Sequence, residues 1–386
     1  MVDELGLGVL RDAIANQLFP GISTLQTRAK YYFLVAYILR DYQTNKLLQK
    51  RYSASQYLEV KEYEAMWHLA EKYNYQRGIG IIGVTKRKPQ KVLRRPSTIY
   101  WNGLHFFNFI DSKGESLDTF LNRGKKASLS DLLRQRLESD DKGDDADAVF
   151  ENLFRIRVPF RKDWYEDLQL ELESQEAEFF ADQVRRSAHN SLLAQLLMDG
   201  ELWQLAKPTA QEGQLDFAGL VQQCDLASLP APLRTTLILA HDFSQLMYGA
   251  HIAYNCQLQG EFYVCDAFEA LWLEWKGQLR ESMLNFDGFE PNDILCLSPT
   301  AKPYAKKFVV DWWAEAKRGF PNTAKRDRLV YEQERLVKGR KARLAFNQRL
   351  DVEQERWIGL TTFDYRFAQG RRIAADIREG LEATNA

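Results

Sequence analysis

The chain has 386 residues, of which 45% are hydrophobic, 12% aromatic and 27% charged, and this composition excludes a disordered, collagen-like or disulfide-scaffold protein. The longest uninterrupted apolar run, Tyr31 to Leu39, is about half the length that a bilayer-spanning helix needs, so no membrane helix is expected. The 52 basic and 53 acidic residues nearly cancel to a net charge of -1, but they are segregated along the chain.

The start, Met1-Val2-Asp3-Glu4, carries acid where a secretory signal carries base, which points to the cytoplasm. A first helix is predicted over about 7–18. Pro20-Gly21 turns the chain, and Ser23-Thr24-Leu25-Gln26 has the form of a capping box, predicting a helix from about Thr24 to Tyr42. Its middle, Tyr31 to Leu39, has no polar stripe and should be buried on nearly all sides. Ser53-Ala54-Ser55-Gln56 repeats the cap pattern, and Tyr63, Met66, Trp67, Ala70 and Tyr73 then recur at helical spacing on one apolar face. Further helices are predicted at about 174–187, 190–198, 211–223, 233–258, 263–285, 304–318, 323–340 and 366–381. In the helix from 233, Ala240, Phe243, Met247, Ala250 and Tyr254 form a packing seam.

Strand signals are few: Gly78 to Val84, Phe106 to Ile110, and Phe154 to Phe160, where Ile156 and Val158 alternate with Arg155 and Arg157. The expected fold is mainly α, a multi-helix globular protein with a minor β element. An N-terminal helical domain with short strands (1–136) and a C-terminal helical domain (149–386) would be joined by an acidic linker (137–148). Glu138 to Glu151 holds seven acids against Lys142.

Four cysteines, Cys224, Cys256, Cys265 and Cys296, match neither a zinc spacing nor a small secreted framework, and are expected as free, mostly buried thiols. Gly78-Ile79-Gly80-Ile81-Ile82-Gly83 has the bare dinucleotide-loop pattern without a strand before it or a helix after it, so a flexible loop is expected instead. His241 and His251 share one predicted helix but lie about 15 Å apart along its axis, too far to grip one metal. His68, His105 and His189 have no acid or cysteine at ligand spacing. Arg234 and His241, about 10.5 Å apart in height on one helix face, have a spacing that resembles the signature of HEPN-type ribonucleases. Asp266 with Glu274-Trp275-Lys276 has the spacing of a restriction-type nuclease, as do Glu59-x-Lys61 and Glu315-x-Lys317, all in helical contexts. No metal and no cofactor is expected, and no catalytic residue is assigned.

Two basic islands are the strongest functional lead. From Arg77 to Arg95 there are seven basic residues and no acid; from Lys317 to Arg349 eleven basic residues face three acids. Lysine and arginine clusters release counterions when they meet phosphates, and arginine forks onto phosphate oxygens. The candidate nucleic-acid contacts are Lys86, Arg87, Lys88, Arg94 and Arg95 in the first island, beside Tyr100, Trp101, His105, Phe106 and Phe107. In the second they are Lys338, Arg340, Lys341 and Arg343, with Arg366, Arg371, Arg372 and Arg378 as an extension on the last helix. The competing reading of both islands is a solvated loop or a surface for an acidic partner, including the chain's own acidic stretch.

At Asp3-Glu4-Leu5-Gly6-Leu7-Gly8, Leu18-Phe19-Pro20-Gly21-Ile22-Ser23-Thr24-Leu25-Gln26-Thr27-Arg28, Arg95-Pro96-Ser97-Thr98-Ile99-Tyr100-Trp101 and Phe243-Ser244-Gln245-Leu246-Met247-Tyr248-Gly249-Ala250, the chain resembles an uncharacterised bacterial family, the domain-of-unknown-function family six-three-six-one. The likeness continues in Lys338-Gly339-Arg340-Lys341-Ala342-Arg343-Leu344 and Asp364-Tyr365-Arg366. The family carries no assigned reaction, so the resemblance transfers no catalytic residue. It implies a component of bacterial anti-phage defence, near helicases and nucleases. The expectation is a non-catalytic nucleic-acid-binding or adaptor subunit, with a nuclease or a scaffold that recruits a helicase or nuclease subunit as alternatives.

Overall fold

A computed structural model describes residues 3–122, 154–208, 215–258, 266–280, 288–345 and 357–383. In chain order the named helices are α1 (Gly8–Leu18), α2 (Lys30–Thr44), α3 (Lys46–Arg51), α4 (Ala54–Lys72), α5 (Pro96–Phe106), α6 (Ser174–Ser187), α7 (Leu192–Met198) and α8 (Gly200–Ala206). They continue as α9 (Phe217–Gln223), α10 (Ala231–Leu258), α11 (Asp266–Arg280), α12 (Pro291–Leu297), α13 (Pro303–Lys317), α14 (Thr323–Lys338) and α15 (Phe367–Glu382). The protein is all-α among the described residues. The expected β element reduces there to one antiparallel bridge between Ile110 and Ile156. Gly78 to Val84 is a run of bends and turns, and Phe106 closes α5 rather than opening a strand.

The helices fall into two units, one of Met1–Leu18 and Leu215–Tyr365, the other of Phe19–Gln214 and Arg366–Ala386. Each takes segments from distant parts of the chain; the acidic stretch expected as a linker at 137–148 lies outside the described residues.

In the Phe19–Gln214 and Arg366–Ala386 unit, α2 is the central rod, and Tyr31 to Leu39 is buried throughout, as its unbroken apolarity requires. Its Tyr32 and Phe33 rings pack edge-on or tilted against Phe109 and Phe180, with centroids 4.9–6.2 Å apart. Helix α15 packs on α6 and α7. Its Asp376 accepts hydrogen bonds from the Ala29 amide (2.7 Å) and from Arg28 Nε (3.0 Å), which sets a carboxylate at the start of α2. Lys30 donates to the buried Glu176 at 2.8 Å, and so does the Tyr37 hydroxyl.

Helix α2 starts at Lys30, not at Thr24. Gln26 Oε1 does accept from the Ser23 amide (3.2 Å), but the amides of Thr27 and Arg28 go to the Tyr100 hydroxyl (2.8 and 3.1 Å), and the one after them to Asp376. Partners distant in sequence take the donors that a helix would leave open, so the segment closes as a turn. At Ser53 no such competitor intervenes, and the full capping box forms with Gln56 at the start of α4.

In the Met1–Leu18 and Leu215–Tyr365 unit, α10 is central. Its seam residues Ala240, Phe243, Met247, Ala250 and Tyr254 are fully buried. Trp275 and Trp312 donate their indole N–H groups to the carbonyls of Gln245 (2.9 Å) and Leu246 (3.0 Å), and Phe320 packs against both rings. The cysteines are less buried than expected: Cys224 and Cys256 are half-buried, Cys296 is exposed, and Cys265 lies outside the described residues.

Candidate nucleic-acid interface

The first basic island is a loop laid along one face of α4. Glu59, Tyr63 and Trp67 recur at steps of four, which puts them in one line on the helix, and Glu62 lies beside that line, three positions after Glu59. Lys91 donates to Glu59 at 2.7 Å and stands over the Tyr63 ring at 5.2 Å, while the Tyr63 hydroxyl donates to the Val92 carbonyl at 3.3 Å. Lys88 lies over the Trp67 ring at 5.8 Å, and Arg87 stacks on Tyr75 at 3.1 Å.

The loop ends on Glu62, which is fully buried. This carboxylate accepts from the Ser97 amide at the start of α5, from the Ser97 hydroxyl (2.9 Å) and from Arg95 (3.1 Å). Burial pushes the Glu62 carboxyl up to about 7, against the opposing pull of Ser97 and Arg95. The hydrogen bond from Lys91 holds the Glu59 carboxyl below the usual range.

These contacts sort the island's cations. Lys91 and Arg95 have carboxylate partners; Lys86, Arg87, Lys88 and Arg94 have none among the described residues, and all four are exposed. A carboxylate neutralises the cation it positions, whereas an aromatic face positions it and leaves the charge in place. Arg87 and Lys88 are therefore oriented yet still available to an anion. Leu93, between Lys91 and Arg94, is 97% exposed.

The aromatics that serve the loop are not those adjacent in sequence. Tyr100, Trp101 and Phe107 are core residues, 8% exposed at most, and Arg95 belongs to the buried Glu62 cluster rather than to the surface. Tyr63 and Trp67 were legible only as an apolar helix face; the glutamates interleaved with them were the overlooked signal.

The second island lies in the other unit and is half committed to structure. Lys338 (2.9 Å) and Arg343 (3.9 Å) face Glu4, which is 3% exposed, and Glu334 accepts from the backbone amides of Arg343 and Leu344. Arg340 and Lys341 are exposed and without a carboxylate partner among the described residues. The arginines expected as its extension on the last helix belong to the other unit and are engaged there. Arg366 donates to the Ile22 carbonyl, and Arg378 donates to the carbonyls of Leu196, Leu197 and Asp199, closing the end of α7. Arg372 faces Asp376 at 3.8 Å, and Arg371 is 9% exposed.

The sequence-level catalytic candidates do not converge. Arg234 is half-buried, its side chain making no hydrogen bond or ion pair among the described residues, and His241 Nδ1 pairs with Asp242 at 3.2 Å. Lys276 donates to the Phe320 carbonyl, and Glu315 holds Lys325 and Arg318. No group of three or more His, Cys, Asp or Glu side chains is placed to hold a metal among the described residues. The glycine loop packs on the start of α2, with its Gly80 carbonyl accepting from Thr27 (2.6 Å) and its Ile79 carbonyl from Arg28 (3.1 Å). No described helix is long and apolar enough to cross a membrane.

The family model of DUF6361, a family of unknown function, matches residues 1–264. The chain belongs to DUF6361. The matched region contains the whole loop 86–95 and its α4 support, while the second island lies beyond it. No curated protein and no solved structure matches the chain.

Proposed function

We propose that this DUF6361 protein binds the phosphate backbone of nucleic acid through Lys86, Arg87, Lys88 and Arg94, as a non-catalytic binding or adaptor component of a bacterial anti-phage system. The observation that carries the binding is the unneutralised charge: these four exposed cations lie on one loop, and two of them are oriented by aromatic rings instead of carboxylates. The defence setting rests on the family resemblance alone.

Anisotropy of labelled DNA and RNA across a salt series tests this. Four phosphate contacts correspond to a log–log slope of about -3 to -4, using about 0.7 to 0.9 per phosphate. The same samples with magnesium on a gel read out the nuclease alternative, in which strand cleavage would be lost in His241→Ala. A slope near zero with intact strands would end the binding proposal and leave the scaffold.

A further inference from the structure

We propose that the ring faces of Trp67 and Tyr75 beneath Lys88 and Arg87 are a stacking platform for the bases of a single-stranded nucleic acid, and that the two cations cover these faces until the strand arrives. This rests on the phosphate-binding reading above and adds the strand state of the ligand. Trp67 is half-buried on α4, stacked against Tyr63 on the same helix (centroids 5.8 Å apart, planes 25° apart). Its indole N–H has no acceptor among the described residues although the atom is buried.

The Lys88 ammonium sits 5.8 Å from the Trp67 centroid, near the outer limit of about 6 Å for cation–π attraction, so it holds the ring weakly. Arg87 covers Tyr75 closely at 3.1 Å. A base stacked on an aromatic face gains more than an exposed cation does there, so the exchange runs toward the base. The displaced cation is not lost, because each stacked nucleotide brings a phosphate within reach of the same loop. Duplex DNA offers the phosphates but keeps its base faces stacked internally, so it satisfies only half of this site. An aromatic platform bordered by cations that track the backbone is the arrangement by which single strands are held without sequence preference.

The test compares three probes on the full chain across one salt series: an oligothymidine strand, the matching duplex, and an abasic strand of equal length, which keeps the phosphates and removes the bases. The expected result is tightest binding to oligothymidine, with about a tenfold loss for the abasic strand. Trp67→Leu should reproduce that loss on oligothymidine without changing the salt slope, and Trp67→Phe, which keeps a ring, should recover most of it. Equal affinity for the normal and abasic strands, or tighter binding to duplex, would overturn the proposal, and this comparison needs no variant to fold. Absence of binding to every probe at low salt would instead overturn the phosphate-binding reading beneath it.

Discussion

Gly249 and Trp275 occupy adjoining space with none to spare: a Cβ on Gly249 would lie 2.1 Å from the Trp275 ring, which is pinned by its hydrogen bond to the Gln245 carbonyl on the same helix as the glycine. This accounts for a glycine inside α10, where helix propensity alone favours alanine by about 1 kcal/mol. Gly249→Ala should destabilise the protein in spite of that gain, because overpacking costs about 1–3 kcal/mol. A lower urea midpoint for the variant is the expected measurement, and an unchanged or higher midpoint would show that Trp275 can move aside.

Glu62 should make stability depend on pH. Its folded carboxyl titrates near 7, above its ordinary 4.5, so the folded state holds this proton more tightly than the unfolded chain. The contribution is full below pH 4.5 and is lost as pH rises through 7. Glu62→Gln removes the titration. The difference in unfolding free energy between variant and wild type should shift in the variant's favour by on the order of 3 kcal/mol between pH 4.5 and 8. Parallel pH profiles for the two proteins would contradict this.

His251 should act in the opposite sense. It is fully buried on α10, neither ring nitrogen has a hydrogen-bond partner among the described residues, and burial lowers its pKa from 6.5 to about 4. Its contribution is present above pH 6.5 and is lost as pH falls toward 4, on the order of 3 kcal/mol in all. His251→Leu should flatten the acid limb of the stability profile and leave stability at pH 8 equal or higher, since two unpaired polar atoms leave the core. A variant as acid-sensitive as the wild type would refute the assignment.

Arginines 94 and 95 are neighbours with different work. Arg94→Gln, like Lys86→Gln, should reduce the salt slope of nucleic-acid binding by about 1 and leave the melting temperature unchanged. Arg95→Gln should lower the melting temperature, because it removes the only cation facing the buried Glu62 within ion-pair distance among the described residues. The two effects are read on the same preparations by anisotropy and calorimetry.

The same local pattern, a serine followed three residues later by glutamine, occurs at Ser23 and at Ser53, and only the second begins a helix. The shared capping pair does not distinguish them. Tyr100 and Asp376, 72 or more positions away, do so by taking the backbone donors after Gln26. The basic loop repeats the lesson: its charge was plain in the sequence, but which cations are neutralised was not, because Glu59 and Glu62 reach it across about thirty residues.

The sequence by itself determined the helical class, the buried α2 rod and the α10 seam, because a helix is closed by bonds four residues apart and its apolar face repeats on the same scale. Only the tertiary structure decided where α2 begins, that the strand signals come to a single bridge among the described residues, and which cations remain free. Those outcomes depend on which distant groups compete for the same hydrogen-bond donors and charges, and residue spacing along the chain does not record that competition.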